Sequence, residues 1–362
     1  APAESSAPFG PLLAELRGCA ASTPFTWGDG AAGGFASVEG AWAEIPASVA
    51  EEWRGYLEHL REEHRTLFPL LSEAFPRDFP AERCSEAAWL RAHSLYTSRA
   101  LPAKPEALQA DELLVPFLDR FNHESSASGA NVEWRGIGLE EHRGAATTKP
   151  VPAGTELLLS YGCKGNAELV LGYGFAMWGN PYEEARLRVD VGDVAPPGEA
   201  DEESALKAFE GALAGQAQRA LRSRVRGRGS VVVRLSEDDV QAPAGAGQSA
   251  AWAALRRLCG ACGRPAVEVM REVLMEAVED LMRAGGEGEV LEPEAWERYV
   301  ADMRARDSVL VGMTHCAGTP AGVAAAMRDS QASILLAALC KLADEEEVRA
   351  SPRGLLSRCA LQ

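Results

Sequence analysis

Hydrophobic residues recur at three- and four-residue steps over the stretch that follows residue 48, which is the spacing of a helix with one buried face. The positions that form this stripe are Val49, Trp53, Leu57, Leu60, His64, Leu67 and Leu71. Ser48-Val49-Ala50-Glu51 has the form of a capping box, so we expect the helix to begin there. A second helix is predicted from Ser85 to Arg99.

The pattern changes after Pro102, where glycine and proline separate short strand-like pieces. Strands are predicted for 113–118, 131–135 and 155–160, and a short helix for 166–172. Beyond a Pro- and Glu-rich linker at 195–203 the pattern is mainly helical, with long helices after Pro265 and from Pro320 to Val348. The chain is therefore expected to change from a strand-rich middle to a helical C-terminal part.

The chain of 362 residues is long enough for two domains, and its formal net charge is −17. Phosphate contacts need clustered Lys and Arg, so this charge argues against a large nucleic-acid footprint. The longest apolar run near the C-terminus, Ala332 to Cys340, is far shorter than the roughly 20 residues of a membrane span. We therefore expect neither a nucleic-acid partner nor a membrane-spanning helix.

Eight cysteines are scattered along the chain, unlike the dense pattern of a small disulfide-bonded protein. Cys259 and Cys262 form a CxxC pair. A zinc site needs two more ligands at a suitable spacing, and neither a second CxxC pair nor a pair of histidines lies nearby in the sequence. The two residues are interpreted as ordinary cysteines, and no metal site is expected.

Two segments in the strand-rich middle carry the candidate chemistry. The first runs from Pro116 to His123 and ends in an Asn-His pair, and the second runs from Gly154 to Gly162 and ends in a Tyr-Gly pair about forty residues later. Taken singly, an Asn-His pair often caps a turn, and a Tyr-Gly pair often closes a strand. Their occurrence together, in this order, is much rarer by chance.

These segments resemble the two signature motifs of the SET domain, in which the chain threads the Asn-His segment past the Tyr-Gly segment. Asn166-Ala167-Glu168-Leu169, followed by Tyr173-Gly174-Phe175, is similar to the plant Rubisco large-subunit lysine methyltransferase group. Ser98-Arg99 matches the Ser-Arg motif of that group. Arg328-Asp329-Ser330-Gln331 resembles, more loosely, the closing helix of its C-terminal domain.

The resemblance implies an α+β fold in two domains. A β-rich SET domain would occupy 1–194, interrupted by a helical insert at about 45–100, and an all-helical substrate-binding domain would occupy 203–362. It also implies a monomer that acts inside the cell on a protein substrate presenting a lysine.

SET domains of this group transfer a methyl group from S-adenosylmethionine to an amine, so the resemblance implies a protein-lysine N-methyltransferase with a non-histone substrate. Tyr161 would be the catalytic residue, because an oxygen near the methyl group stabilises its partial positive charge. The other residues implied for the site are those that bind the cofactor, Arg99, Asn122 and His123, and those that line the substrate channel, Tyr173, Phe175 and Leu101.

Related enzymes divide into lysine methylators and actin-histidine methylators. The histidine branch has an Asn two residues after the Arg and a Trp shortly before the Asn-His pair. This chain has Leu101 and Leu118 at those places, which favours lysine. Two other hypotheses stay open: a protein-histidine methyltransferase of the actin type, and a catalytically inactive SET-derived module that holds a partner with its helical domain.

SET domains of the Rubisco group begin with a Gly-x-Gly segment that holds part of the cofactor. Gly28-Asp29-Gly30 has that spelling but lies in a Gly- and Ala-rich stretch too close to the helical insert, so the N-terminal part of the SET core is expected to be missing. We predict that the 362-residue chain binds S-adenosylmethionine weakly and that restored upstream sequence strengthens binding. Calorimetric titration of both forms measures this, and tight binding by the short chain would contradict it.

Overall fold

The structure is a computed structural model that describes residues 16, 18–19, 23–27, 41–42, 44–102, 112–125, 129–136, 143–177, 179–190, 230–241, 249–260, 264–284 and 320–350. The chain divides into two compact units. The first comprises Ala1–Trp42, Trp53–Tyr182 and Met313–Ala324, and the second comprises Ala43–Glu52, Glu183–Gly312 and Ala325–Gln362. The predicted domain limits, 1–194 and 203–362, stay predictions, because residues 191–229 lie outside the described ranges.

Helix α1 spans Ala47–Ala74 and confirms the long helix predicted from the apolar stripe. It begins one residue before the predicted capping box, because the carbonyl of Pro46 already accepts hydrogen bonds from the amides of Val49 and Ala50, at 3.0 and 2.8 Å. The first amide, that of Ala47, donates instead to Oδ2 of Asp280 at 3.1 Å. The capping-box prediction is therefore wrong: a carboxylate distant in sequence satisfies an amide of the first turn.

The buried face of α1 also differs from the predicted stripe at one position. Leu67 is 45% exposed, whereas its neighbour Phe68 stacks on His64 with ring centroids 4.7 Å apart. Phe68 is half-buried, so it takes the inward place in this turn of the helix, and the predicted stripe is wrong at Leu67. His64 itself is hydrogen-bonded through Nε2 to the carbonyl of Cys84 at 2.8 Å.

Helix α2 spans Glu86–Thr97, close to the predicted 85–99. Ser85 is its N-cap residue, and its hydroxyl accepts a hydrogen bond from the amide of Ala88 at 3.2 Å. The indole of Trp89 donates to the carbonyl of Leu60 at 3.0 Å and so ties α2 to α1. Phe25, Leu60 and Leu90 form the small apolar core that these helices share.

Six short strands follow among the residues of the first unit that the structure describes. Strands β1 (Leu101–Pro102) and β2 (Glu112–Leu113) pair antiparallel. Strands β3 (Asn122–His123), β4 (Val132–Gly136), β5 (Arg143–Thr147) and β6 (Leu158–Leu159) form one sheet in the order β3-β6-β4-β5. Helix α3 (Asn166–Tyr173) ends this part and contacts α2. The predicted strand at 131–135 and the helix at 166–172 are confirmed within one residue.

The predicted strand at 113–118 is wrong beyond Leu113. A 3-10 helix at Leu118–Arg120 replaces it, preceded by Phe117 with a φ of 70°. A positive φ is uncommon for a residue with a side chain and cannot continue a strand. Pro116 also has no backbone N–H to donate to a neighbouring strand, so the chain turns here instead of extending.

The second unit is built around a two-stranded sheet and helices. Strand β7 (Glu184–Asp190) pairs antiparallel with β8 (Ser230–Ser236), with Leu187 opposite Val233. Helices α4 (Glu237–Gln241), α5 (Ala250–Gly260), α6 (Ala266–Ala284) and α7 (Pro320–Ala350) follow, and α7 belongs to this unit from Ala325 onward. The α+β class is confirmed, but β8 differs from the expectation that the C-terminal part is all helical.

The core of the second unit explains why β8 forms. Val233 and Leu235 point inward and are almost fully buried, while Val232 and Arg234 between them are only half-buried. This alternation of buried and half-buried residues is the period of a strand with one packed face. The inward residues join one apolar cluster with side chains from β7, α5, α6 and α7, among them Trp252, Met270, Leu274, Leu335 and Leu342.

Two ion pairs hold arginine side chains of β7 against glutamates of α1. Arg188 Nη1 lies 2.6 Å from the carboxylate of Glu51, and Arg186 pairs with Glu52. Arg186 is almost fully buried, so its guanidinium needs the partner that α1 supplies. In the part of the chain that the structure describes, no helix combines the length and apolar content that a membrane span requires.

We predict that Val233→Ala lowers the free energy of unfolding by about 2 kcal/mol, because it removes buried methyl groups and leaves a cavity. Val232→Ala removes the same atoms from the half-buried face and should cost less than about 1 kcal/mol. Chemical denaturation followed by circular dichroism measures both. Equal losses would contradict the orientation of β8.

Candidate active site

The two motif segments lie side by side because strands β3 and β6 pair in parallel. Asn122 is opposite Leu158, and His123 is opposite Leu159. The amide of Glu124 extends this pairing with a hydrogen bond to the carbonyl of Leu159 at 3.1 Å. Backbone pairing therefore brings the Asn-His segment next to the strand that leads into Tyr161.

A buried asparagine holds the β6 segment in place. Nδ2 of Asn131 donates to the carbonyl of Glu156 at 2.8 Å, and its Oδ1 accepts from the amide of Leu158 at 2.9 Å. Its own amide donates to the carbonyl of Leu158 at 3.1 Å. Asn131 is only 5% exposed, so these bonds satisfy a polar group that burial would otherwise penalise.

His123 is 1% exposed and is fixed by the backbone of the second motif. The amide of Tyr161 donates to Nδ1 of His123 at 3.0 Å. A ring nitrogen that accepts a hydrogen bond carries no proton, so the neutral imidazole has its proton on Nε2. The rings of His123 and Tyr161 stack with centroids 4.9 Å apart, and the histidine thus positions the tyrosine.

Four aromatic side chains converge here, and we call them the ring set: His123, Tyr161, Tyr173 and Phe175. The Tyr161 and Tyr173 centroids are 4.7 Å apart, and Phe175 lies 6.0 to 6.4 Å from the other three. Such spacings are those of packed aromatic pairs. The sequence-predicted catalytic tyrosine and two of the predicted channel residues thus lie together.

The hydroxyl of Tyr161 points back to the first motif. It donates to the carbonyl of Phe121 at 2.6 Å. Burial raises the pKa of Tyr161 to about 12, with a smaller upward effect from Tyr173 and a lowering effect from Arg99. Burial likewise raises the pKa of Tyr173 to about 12, and the carboxylates of Glu112 and Glu168 add to the increase. Both phenols therefore stay protonated at neutral pH.

Arg99 follows the end of α2 and pairs with a residue of the first motif. Its Nη1 lies 2.9 Å from Oδ2 of Asp119, whose side chain is only 7% exposed. The same nitrogen approaches the carbonyl of Asp119 at 3.4 Å. A guanidinium has five N–H donors, so this contact leaves donors on Nη2 and Nε that can receive a second carboxylate.

The two remaining predicted residues do not belong to the ring set. Asn122 is exposed, and its Nδ2 donates to Oε1 of Glu156 at 2.6 Å. This bond leaves the carbonyl oxygen of the Asn122 amide as an acceptor. Leu101 is half-buried on β1, opposite Leu113 of β2.

The turn after α3 places Phe175 beside the tyrosines. Gly174 ends the helix in the left-handed conformation, with a φ of 79°, and its amide bonds back to the carbonyls of Leu169 and Val170. Asn166, which is fully buried, holds the returning chain, because its amide donates to the carbonyl of Met177 at 2.9 Å and accepts from the Met177 amide at 2.8 Å.

Sequence reasoning missed three residues that organise the site. In the sequence, Asp119 is only an acidic residue next to Arg120 in the first motif segment, and Glu156 is only an acidic residue before the strand of the second motif. Asn131 follows the Asn-His pair at the end of a Ser- and Gly-rich loop. Each acts through a contact that is distant in sequence, so no local pattern identified it. Gly28-Asp29-Gly30 lies outside the described residues.

Solved structures with the same fold identify the architecture. The structure described as the SET domain of LSMT bound to lysine and AdoHcy superposes with a TM-score of 0.57 and 13% identity, covering 95% of this chain and 73% of that one. Rubisco LSMT bound to AdoMet has a TM-score of 0.52 and 14% identity, with the same coverage. This chain has the SET-domain fold. The resemblance drawn from the motifs is thereby confirmed at the level of the fold.

The sequence of this chain matches curated proteins over a shorter stretch. Ribosomal lysine N-methyltransferase set10 of Schizosaccharomyces pombe is 26% identical over 115 residues, which is 31% of this chain and 20% of that protein. The match thus spans about a fifth of the length of that curated relative. No protein-family model matches the chain.

We predict that Asn131→Ala lowers the free energy of unfolding of the SET domain by about 1–3 kcal/mol, because it leaves two partly buried backbone groups without a partner. Asn122→Ala is the matched control: its amide is exposed, so the loss should stay below about 0.5 kcal/mol. Thermal denaturation measures both variants. Faster hydrogen exchange at the Leu158 amide should accompany Asn131→Ala, and unchanged exchange there would contradict the role of Asn131.

Proposed function

We propose that this chain is the catalytic part of an S-adenosylmethionine-dependent protein-lysine N-methyltransferase that acts on a non-histone protein. The observation that carries the proposal is the ring set where the two motifs pair, in which the ring of Tyr161 packs on Tyr173 and its hydroxyl donates to the carbonyl of Phe121. The names of the similar proteins support it. One is a ribosomal lysine methyltransferase, and one solved structure of Rubisco LSMT contains sinefungin and monomethyllysine.

The residues around the crossing fit S-adenosylmethionine, which supplies a methyl group on a positively charged sulfur. The free donors of Arg99 suit the cofactor's carboxylate, since an Arg–carboxylate pair forms strong charge-assisted hydrogen bonds. The carbonyl oxygen of Asn122 suits its ammonium group. The sequence predicts that His123 binds the cofactor. We retain this role only for the backbone groups of His123, because its imidazole ring already accepts a hydrogen bond from the amide of Tyr161.

Tyr161 acts in this proposal through its oxygen and not as a base. Its proton is donated to the carbonyl of Phe121, and a pKa of about 12 keeps that proton in place at neutral pH. The lone pairs of the oxygen are then available to a methyl group that carries partial positive charge. CH···O contacts of this kind are weak singly, but a fixed oxygen gives its stabilisation without reorganisation.

Tyr173 and Phe175 would form the walls of the lysine channel. Aromatic faces attract an alkyl-ammonium group, which favours entry of a lysine side chain. Once water is excluded, burial disfavours the charged amine and lowers its pKa, so the amine more easily loses the proton that blocks attack. Leu101 and Leu118, at the places where histidine methylators carry Asn and Trp, support lysine as the acceptor.

We predict that Tyr161→Phe lowers the methylation rate at least tenfold while the affinity for S-adenosylmethionine changes less than twofold. The hydroxyl would act mainly in the transition state, so its loss affects kcat rather than ground-state binding, and a tenfold change corresponds to about 1.4 kcal/mol. Transfer of labelled methyl groups to lysate proteins measures the rate, and calorimetry measures the affinity. The preparation includes upstream sequence if cofactor binding requires it.

Tyr182→Phe is the matched control, because Tyr182 lies outside the ring set. Its methylation rate should equal that of the parent. If Tyr161→Phe also methylates at the parent rate, Tyr161 has no part in the chemistry. If neither the parent nor any variant transfers methyl groups although the parent binds the cofactor, the alternative of an inactive binding module is favoured.

A further inference from the structure

The side chain of Glu156 reaches the first motif from the segment that leads into the second. Nδ2 of Asn122 donates to Oε1 of Glu156 at 2.6 Å, although the two residues are 34 positions apart. Both residues are exposed, so the bond forms at the surface beside the paired strands β3 and β6. None of the sequence-predicted roles includes Glu156, yet it contacts a predicted cofactor-binding residue directly.

The register of the sheet explains why these two side chains meet. Asn122 is the strand partner of Leu158. Glu156 precedes Leu158 by two residues, which is the repeat at which side chains along a strand return to the same face. Asn122 and Glu156 are therefore diagonal neighbours, and the long side chain of a glutamate crosses the gap between the two strands.

The backbone of Glu156 is held on both sides. Before it, the amide of Thr155 donates to the carbonyl of Pro152 at 3.2 Å, and Gly154 takes a φ of 85° in this turn, a value that favours glycine. After it, the carbonyl of Glu156 accepts from Nδ2 of the buried Asn131 at 2.8 Å. The carboxylate of Glu156 therefore extends from a fixed point of the chain.

The bond to Glu156 determines which way the amide of Asn122 points. An ionised carboxylate only accepts hydrogen bonds, so the amide nitrogen of Asn122 must face Glu156 and the amide oxygen must face away. An exposed asparagine without such a partner rotates and presents either group. Here the oxygen is held as an acceptor before any ligand binds, which reduces the freedom lost on binding.

We propose that Glu156 is a positioning residue for the cofactor, because it holds the Asn122 amide with its oxygen ready to accept a hydrogen bond from the ammonium group of S-adenosylmethionine. This inference rests on the proposed function for the identity of the cofactor. Glu156 acts only through Asn122 and does not itself touch the cofactor. The bond that it prepares is charge-assisted, since the ammonium group carries a positive charge.

Calorimetry with two probes distinguishes this role from a general effect on the fold. S-Adenosylhomocysteine carries the ammonium group, whereas methylthioadenosine keeps the nucleoside and the sulfur but lacks the amino-acid part. We expect Glu156→Ala to weaken binding of S-adenosylhomocysteine about three- to tenfold, the equivalent of one ordinary hydrogen bond, and to change binding of methylthioadenosine less than about twofold. The preparation includes upstream sequence if cofactor binding requires it.

Glu82→Ala is the matched control. It removes the same charge from an exposed turn of the same unit, so both affinities should stay at the parent values. Glu156→Gln keeps an oxygen that can accept the same hydrogen bond, and its affinity for S-adenosylhomocysteine should stay within about twofold of the parent. A loss as large as that of Glu156→Ala would assign the effect to the charge of Glu156 and overturn the positioning role.

A double-mutant cycle shows whether Glu156 acts through Asn122. Asn122→Ala should weaken binding of S-adenosylhomocysteine at least as much as Glu156→Ala does, and the double variant should bind no more weakly than Asn122→Ala alone. Additive losses would mean that the two side chains act independently on the cofactor, which contradicts the inference. Circular dichroism confirms that each variant is folded.

The hydrogen bond itself is tested without any cofactor. The chain contains four asparagines, so labelling them with nitrogen-15 gives few side-chain amide signals, and Asn122→Ala identifies the signal that belongs to Asn122. We expect its amide protons to exchange with solvent about two- to tenfold faster in Glu156→Ala than in the parent, because the bond no longer protects them. Glu82→Ala should leave the exchange rate unchanged.

The outcomes separate this inference from the proposed function. Equal exchange in Glu156→Ala and the parent, or an equal loss of affinity for the two probes, would overturn the positioning role and leave the proposed enzyme in place. The expected difference between the probes without methyl transfer to any protein would leave Glu156 in its role and count against the enzyme. A parent that binds neither probe, with upstream sequence present, would overturn both.

Discussion

The parallel pairing of β3 with β6 is the constraint on which the rest of the site depends. Two strands of two residues each contribute few backbone hydrogen bonds, so the pairing needs support from elsewhere. Asn131 provides that support, because its buried amide bonds to both Glu156 and Leu158 in the manner of a further strand. Without the pairing, the Asn-His segment and Tyr161 would have no reason to meet.

The chemistry of the ring set follows from that pairing. His123 is buried by the crossing, and its Nδ1 receives the amide of Tyr161. The tyrosine is thereby aligned so that its hydroxyl reaches the carbonyl of Phe121. Burial among Tyr173 and Phe175 then keeps the phenol neutral. Because the proton is both bonded and costly to remove, the oxygen stays a fixed acceptor, and the proposed methyl transfer would use it in that form.

The charged residues around the site form two groups, one near Tyr161 and one that acts on Tyr173. Arg99 and its partner Asp119 lie on the side assigned to the cofactor, and the pair is nearly neutral as a whole. Glu112 and Glu168 act on Tyr173, on the side assigned to the lysine. In the proposed enzyme a cationic side chain would therefore be attracted toward the channel, and the cofactor's carboxylate would have a separate cationic partner.

The sequence by itself determined the helices and the residues of the two motifs, because helical periodicity, the Ser85 cap and the Asn-His and Tyr-Gly pairs are local features that need no knowledge of the fold. It also placed β4 and α3 within one residue. Tertiary structure decided the first turn of α1, where Asp280 accepts a hydrogen bond from the first amide. It also decided the formation of β8, whose inward Val233 and Leu235 gain stability only against the rest of the core of the second unit. It also decided the contacts of Arg99 with Asp119 and of Asn131 with β6. Those contacts join residues 20 to 27 positions apart, and a buried polar side chain takes the partner that folding brings to it, which no local pattern in the chain records.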